Sequence, residues 1–149
     1  VVYAARNFDD EVAWIADQID SLDRQNFLPS DICIVTRTNS QVEAYSRALA
    51  EKGFEPSRIA RGQADTGAKD HLRIATMHRV KGLEFKAVFI AGASEGRMPL
   101  KARTDDPVEI RQNELTERSL FYVAASRARD VLFVSSDGKA GEFLQRLLC

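Results

Sequence analysis

The chain has 149 residues, of which 44% are hydrophobic and 29% are charged, and its formal net charge is -1. This length suits one domain with its own core, and this composition excludes a disordered chain or a coiled coil. The near-neutral charge argues against a free-standing nucleic-acid binder, which usually carries a basic excess. No stretch approaches the roughly 18 apolar residues of a membrane span, so we expect no membrane partner and a cytoplasmic location.

Two cysteines, Cys33 and Cys149, are the only ones in the chain and lie far apart. They have neither the spacing of metal ligands nor the density of a disulfide scaffold. Cys33 falls in an apolar run and is predicted to be a small core residue. The sequence therefore predicts no metal site on this chain.

The first half of the chain alternates between strand and helix patterns. Val1 to Ala4 is a short apolar run, and apolar residues then recur at helical spacing, which predicts a helix from about Asp10 to Gln25. Ile32 to Thr36 is typical of a strand buried on both faces. A helix is predicted from about Gln41 to Lys52, with Val42, Tyr45 and Leu49 facing inward and Gly53 as its stop.

The second half continues this alternation. Two apolar runs, Arg73 to Thr76 and Ala87 to Gly92, flank a polar segment that is too long and too charged for a tight hairpin turn. The remaining predicted elements are a short strand near Arg58 to Ala60, a loop from Ala93 to Pro107, a helix from Asn113 to Arg127 whose end from Leu120 to Ala125 is deeply packed, a strand from Val131 to Ser135 and a helix from Ala140 to Leu148.

Alternating strands and helices predict an α/β fold with a doubly wound, mostly parallel sheet. Such sheets bind ligands beyond the carboxyl ends of their strands. Arg37, the polar segment from Thr76 to Glu84 and the loop after Gly92 each follow a strand directly. We therefore expect all three to converge on that edge.

Three segments carry a resemblance to one family. DICIVTRTNSQVEAYSRAL is similar to motif IV of the UvrD/Rep-type superfamily-one DNA helicases, TMHRVKGLEFKAVFIAGASEGRMP resembles their motif V, and ERSLFYVAASRARDVLFV resembles their motif VI. The three occur in the family's order between Asp31 and Val134. A single short match would carry little weight, whereas the ordered set is specific.

The resemblance implies that residues 1–149 form a single domain, the C-terminal of two RecA-like motor domains of an ATP-dependent DNA helicase. The implied fold is α/β of the RecA-like P-loop NTPase type, a mostly parallel sheet flanked by helices. ATP with Mg2+ would lie between this domain and the N-terminal RecA-like domain of the same polypeptide, and single-stranded DNA would be the other partner.

The resemblance also assigns roles to residues of the nucleotide site. Arg37 and Arg127 match the arginines that reach the γ-phosphate from this domain, and so would be the catalytic residues. Glu84 matches the motif V acid associated with the ribose, and Gly82 lies beside it, where close backbone approach is useful. Guanidinium suits this role because it is planar, permanently charged and a bidentate donor.

For DNA, Thr76 and His78 match the part of motif V that faces single-stranded DNA. Arg79 and Val80 stand where family members usually have small residues. Arg79 therefore either adds a phosphate contact or points to solvent. Ser126 stands where motif VI more often has threonine, a change that keeps the hydroxyl group.

Two expected features are missing. Nothing in the sequence matches the phosphate loop G-x-x-x-x-G-K-[ST] or an acidic metal-binding motif, so we expect a fragment of a longer polypeptide that is inactive alone, with the metal held mainly by the N-terminal domain. Only Phe54 to Arg73 separates motif IV from motif V, so the inserted helical subdomain of UvrD-like helicases is expected to be absent.

Other readings remain open from the residues alone. An arginine that ends a strand is ordinarily solvated or ion-paired, and Arg127 could pair with Glu117 or Asp130. The alternative function is a non-catalytic nucleic-acid-binding or interaction module that keeps the helicase fold, with Lys69 to Arg103 as one basic patch. An unrelated nucleotide-binding α/β domain is disfavoured, because a glycine-rich phosphate loop is missing.

Overall fold

A computed structural model describes residues 1–59 and 70–149. The strands alternate with helices for most of the chain, as predicted. The strands are β1 (Val2–Ala5), β2 (Ile32–Thr36), β3 (Pro56–Arg58), β4 (Leu72–Thr76), β5 (Phe85–Ile90) and β6 (Ala128–Asp137). The helices are α1 (Phe8–Arg24), α2 (Asn39–Glu51), α3 (Pro107–Ala125) and α4 (Glu142–Leu148), with a 3-10 turn at Pro29–Asp31.

The strands form one sheet in the order β1-β6-β5-β2-β4-β3, and every pair of neighbours is parallel. The mostly parallel α/β sheet is therefore confirmed. The carboxyl ends of β2 and β4 lie side by side, since their last residues, Thr36 and Thr76, are paired. The chain reaches β5, on the other side of β2, by passing over that strand.

The sheet is covered by helices on both faces, and residue alternation along β2 shows how. Ile32 and Ile34 belong to the core that packs under α1 and α2. Cys33 and Val35 belong to the core under α3 and α4. All five residues of β2 are buried, which explains the continuous apolar run in the sequence.

Local capping sets the start of α1 and α2. The Asn7 side chain accepts a hydrogen bond from the backbone N–H of Asp10, so α1 begins two residues before the predicted start. Thr38 caps α2 and forms a capping box with Gln41, placing Asn39 rather than Gln41 at the helix start. Val42, Tyr45 and Leu49 are the buried residues of α2, as predicted.

Helix α3 differs from the prediction in extent. It begins at Pro107 rather than Asn113, because Asp106 caps it by accepting a hydrogen bond from Val108 N–H and proline is favourable in the first turn. It ends at Ala125, two residues before the predicted end at Arg127. The preceding loop ends at Asp106, close to its predicted end at Pro107.

The packing of α3 also differs. Deep burial of Leu120 to Ala125 was wrong, since within that stretch only Ala124 is fully buried and Tyr122 is 73% exposed. The helix forms the outer layer of its face, so one stripe contacts the sheet and the opposite side lies in solvent. An apolar sequence therefore does not imply burial all round here.

Smaller differences occur at element ends. The strand expected near Arg58 to Ala60 is β3, Pro56–Arg58, and Ala60 lies outside the described residues. Strand β6 extends beyond the predicted Val131 to Ser135 at both ends. Helix α4 begins at Glu142 because Gly141 is its N-cap. In the part of the chain that is described, no helix combines the length and apolar character needed to cross a membrane.

Candidate functional site

The segment joining β4 to β5, residues 77–84, is named here the crossover segment. Two turns shape it, with Arg79 N–H donating to the Thr76 carbonyl and Leu83 N–H donating to the Val80 carbonyl, both at 3.0 Å. Met77 and Val80 are buried in the core under α3. The polar residues between and after these anchors are therefore held outward: His78, Arg79, Lys81 and Glu84 are exposed.

Gly82 allows the second turn of the crossover segment. Its φ is +82°, in the left-handed region that favours glycine. No atom lies within 4 Å of the position that a Cβ would take. Glycine is therefore required here for its backbone conformation. Because it has no side chain, the backbone at this position is accessible to a ligand.

Arg37, directly after β2, forms an ion pair with Glu117 of α3. Its Nε and Nη2 donate to the two carboxylate oxygens at 3.0 Å and 2.7 Å, which is a fork geometry. The pair is largely enclosed, since the side chains of Arg37 and Glu117 are 14% and 3% exposed. The sequence had allowed Glu117 to pair with Arg127. In the structure its partner is Arg37.

Glu117 also holds the loop between β5 and α3. Its carboxylate accepts a hydrogen bond from Leu100 N–H at 3.0 Å, and Asn113, one turn earlier on α3, donates to the Leu100 carbonyl at 2.8 Å. Sequence reasoning did not assign a role to Glu117. Its position inside the motif VI segment was a signal, but its partner lies 80 residues away and depends on how α3 packs.

His78 lies within electrostatic reach of this ion pair. Partial burial lowers the pKa of His78, the cations of Arg37 and Arg79 lower it further, and the Glu117 carboxylate opposes them. The neutral imidazole is therefore favoured. Thr76, at the end of β4, is buried, whereas His78 and Arg79 are exposed.

Arg127 follows the last turn of α3. Its carbonyl accepts a hydrogen bond from Phe85 N–H at 3.0 Å, which places Arg127 beside Glu84. Its Nε donates to the Val123 carbonyl at 3.3 Å and its Nη2 to Ser126 Oγ at 3.2 Å. These bonds turn the guanidinium back along α3, and no carboxylate of the described residues pairs with it.

The predicted site residues thus fall into two groups, one at each end of the strands. Arg37, Thr76 and His78 lie by the carboxyl ends of β2 and β4. The loop through Leu100 is bound to Glu117, the partner of Arg37. Gly82, Glu84 and Arg127 lie by the amino ends of β5 and β6, where Phe85 is paired with Ala128. Convergence of the whole segment on the carboxyl edge was therefore wrong, because the crossover segment leaves that edge and returns to the opposite one.

Helix α3 connects the two groups. Glu117 and Val123, which hold the two guanidinium groups, are six residues apart, about 9 Å along the helix axis. Arg37 follows the carboxyl end of β2 and Arg127 precedes the amino end of β6, so the two arginines lie toward opposite ends of the strands. Each guanidinium is a permanent cation of the kind that binds phosphate. Within the described residues, no cluster of His, Cys, Asp and Glu could hold a metal ion.

Comparison with known proteins identifies the family of the chain. The model of the UvrD-like helicase C-terminal domain matches residues 1–63 and 57–139. A probable DNA helicase of Mycoplasma pneumoniae is 33% identical over 138 residues, covering 91% of this chain and 23% of that protein. DNA helicase II of Escherichia coli is 41% identical over 71 residues, covering 48% of this chain and 9% of that protein. The chain thus spans about a quarter or less of these relatives.

Solved structures share the fold. The crystal structure of the C-terminal domain of a possible DNA helicase from Lactobacillus strain WCFS1 aligns with a TM-score of 0.75 at 24% identity, covering 97% of this chain and 78% of that one. The C-terminal domain of the DEAD-box protein Dbp5 aligns with a TM-score of 0.55 at 13% identity. With a family match along nearly the whole sequence and this fold, the chain belongs to the UvrD-like helicase C-terminal domains.

Proposed function

We propose that residues 1–149 are the C-terminal motor domain of an ATP-dependent DNA helicase or translocase, and that they form one side of its nucleotide site. The observation that carries this proposal is that α3 anchors both candidate arginines, Arg37 through Glu117 and Arg127 through Val123. Helix α3 thus contacts both guanidinium groups, one toward each end of the strands. Family membership supplies the identity of that ligand, ATP.

Arg37 and Arg127 act on the γ-phosphate in this proposal. Their charge neutralises the negative charge that develops as the phosphoryl group is transferred. Arginines that are supplied across a domain boundary contribute about 10³ to 10⁵ in rate in other nucleotide hydrolases. Exposed Glu84 next to Arg127 accepts hydrogen bonds from the ribose, and the open backbone at Gly82 allows its approach.

The other side of the site belongs to an N-terminal RecA-like domain of the same polypeptide. That domain provides the phosphate loop and holds most of the Mg2+ coordination, since this chain has no match to either motif. Bound Mg2+ neutralises phosphate charge and orients the reacting group. Residues 1–149 alone are accordingly inactive, and the arginines engage only when the two domains close around ATP.

Single-stranded DNA runs past Thr76, His78 and Arg79. Exposed Arg79 contacts a backbone phosphate, and neutral His78 stacks on or hydrogen-bonds a nucleotide, with Thr76 at the strand end below it. The Arg37–Glu117 ion pair acts electrostatically on His78. The proposed DNA-binding residues are therefore coupled to the proposed nucleotide-binding residues through this ion pair. Closing and opening of the domain cleft then shifts the hold on DNA and gives stepping along a strand.

The alternative, a binding module without a motor, finds less support. It requires the basic run from Lys69 to Arg103 to form one continuous surface patch. Among the described residues of that run, Arg73 is buried and Arg97 is paired with Asp137 at 2.6 Å. Lys86 is paired with Asp31 at 3.9 Å. Three basic residues of the described part of this run are therefore buried or paired, which argues against one continuous free surface.

The test is DNA-stimulated ATP hydrolysis by the full-length protein with Arg127→Ala. A matched control is Arg129→Ala, two residues later and exposed on β6. We expect Arg127→Ala to lower the rate at least about a hundredfold with ATP binding largely retained, and Arg129→Ala to behave as wild type. An unchanged rate in Arg127→Ala would contradict the motor function and leave the binding module as the better reading.

A further inference from the structure

We propose that Glu117 is a positioning residue of the nucleotide site, which acts by holding Arg37 with one edge of its guanidinium free for phosphate. This inference rests on the proposed function, because it assigns Glu117 a role through Arg37. Glu117 itself does not touch the nucleotide. Its carboxylate binds Arg37 and the backbone of the loop at Leu100.

The hydrogen bonds divide the guanidinium into two edges. Glu117 takes the edge formed by Nε and Nη2, at 3.0 Å and 2.7 Å. Nη1 takes no part in the ion pair and makes no hydrogen bond to any residue that the structure describes. Arginine has five N–H donors in a planar fork, so a bidentate carboxylate on one edge leaves the other edge able to bind an anion.

Arg37 is also fixed at its backbone. Gln41 Oε1 accepts hydrogen bonds from the N–H groups of Arg37 and Thr38, both at 3.2 Å. The same amide oxygen belongs to the capping box of α2, so the start of this helix holds the residue in place. With the main chain held by α2 and the side chain held by α3, Arg37 has one orientation before any ligand arrives.

The ion pair is built to persist when phosphate binds. Glu117 is 3% exposed, and removal of Arg37 would leave its carboxylate buried with only the Leu100 N–H as a hydrogen-bond donor. An unpaired buried charge is strongly unfavourable, so phosphate binds to the free edge rather than displacing Glu117. A preoriented cation loses little freedom on engaging the transition state, which favours the rate of the chemical step.

Glu117 also fixes the position of the loop after β5. Leu100 is held by both of its backbone groups, its N–H by Glu117 and its carbonyl by Asn113. The loop and Arg37 therefore share one carboxylate. A change in the ion pair alters the position of the loop beside it.

The test uses the full-length protein and a double-mutant cycle of Arg37→Ala and Glu117→Gln. Glu117→Gln keeps the side-chain shape but removes the charge and the second acceptor. We expect it to lower kcat for ATP hydrolysis about tenfold or more while the KM for ATP changes less than about threefold. In the Arg37→Ala background the same substitution should have almost no further effect. A purely structural role would instead give additive losses.

Two further variants control for folding and for general loss of an ion pair. Glu117→Asp keeps the buried charge but withdraws the carboxylate by one methylene, so it should lower kcat in a protein that still unfolds cooperatively. Glu142→Gln removes the exposed pair with Arg146, whose side chains are 48% and 61% exposed, and should leave hydrolysis unchanged.

The outcomes separate the two proposals. If Arg37→Ala hydrolyses ATP as wild type does, the proposed role of Arg37 fails. If Arg37→Ala is slow while Glu117→Asp and Glu117→Gln keep the wild-type kcat, only the positioning role is overturned. Additive losses in the double mutant would also overturn it.

Discussion

Glu11 is a fully buried carboxylate near the start of α1. It accepts hydrogen bonds from Tyr45 Oη at 2.7 Å, Ser135 Oγ at 2.7 Å and Gly92 N–H at 2.9 Å. These donors come from α2, from β6 and from the second residue after β5, so one side chain links both helices of its face to the carboxyl edge of the sheet. Burial raises the pKa of Glu11, and the three donors oppose that rise.

Glu11→Gln should destabilise the chain by about 2 to 4 kcal/mol, because glutamine offers one carbonyl oxygen and turns an amide group toward donors that need an acceptor. Urea unfolding of residues 1–149 measures the effect. Asp9→Asn, an exposed position in the same helical turn, serves as the control and should stay within about 0.5 kcal/mol of wild type. Equal unfolding free energies for Glu11→Gln and wild type would contradict this role.

His78 should titrate below the ordinary histidine pKa of about 6.5. The unfolded chain then takes up the proton first as the pH falls, so folding stability from this group declines with acidification through that range. Arg37→Ala should raise the pKa of His78 by removing a nearby cation, and Glu117→Gln should lower it by removing an anion. NMR titration of the imidazole ring protons, with His71→Asn for assignment, measures both. An unmoved pKa in both variants would show that His78 lies away from the pair.

At the scale of elements, two positions with positive φ, Gly82 and Gly92, require glycine for different reasons. Gly92 has a φ of +73°, and a Cβ there would lie 2.6 Å from Gln41 Nε2 and 3.2 Å from Tyr45 Oη. Gly82 has a φ of +82° with open space around it. Backbone conformation requires both glycines, but only Gly92 also requires the absence of a side chain.

Gly92→Ala should therefore destabilise the chain more than Gly82→Ala. Both substitutions bear the cost of a left-handed alanine, about 1 kcal/mol, and Gly92→Ala adds a displacement of Gln41 and Tyr45 beside the Glu11 network. Thermal unfolding of the two variants in parallel isolates the packing contribution. Equal shifts in Tm would contradict the crowding at Gly92.

The sequence predicted elements best where local signals agree. Strand β2 was predicted with its observed ends, because a run of mostly β-branched residues lies between a turn and a capping threonine. The start of α3 was missed, although Asp106 and Pro107 are a helix-start signal, because that signal lies in a polar stretch that reads as a loop. Local signals are weak where the first turns of a helix are solvated.

The candidate site was accessible to sequence reasoning only in part. The resemblance supplied Arg37, Glu84 and Arg127, whose residue types are set by chemistry. The ion pair between Arg37 and Glu117 joins residues far apart in the chain and follows from the packing of α3 on the sheet beside β5 and β6. The return of the crossover segment to the amino edge likewise depends on strand order, which no local pattern encodes.

At the scale of the whole molecule, the parallel sheet carries a helical layer on each face, and the two layers have different roles. Helices α1 and α2 close one core around Glu11, and α3 carries the arginine anchors on the other face. Much of α3 remains exposed, including Tyr122. In the proposed function, residues 1–149 form one side of the nucleotide site, and a second domain brings ATP to the α3 face.

The most direct measurement is the structure of the full-length protein with ADP, Mg2+ and aluminium fluoride, which mimics the phosphoryl group in transfer. Our proposal predicts that guanidinium nitrogens of Arg127 and Arg37 lie about 2.7 to 3.2 Å from the fluoride ligands, with Glu117 still bound to the opposite edge of Arg37. Arginine side chains left in solvent around a fully occupied nucleotide site would contradict it.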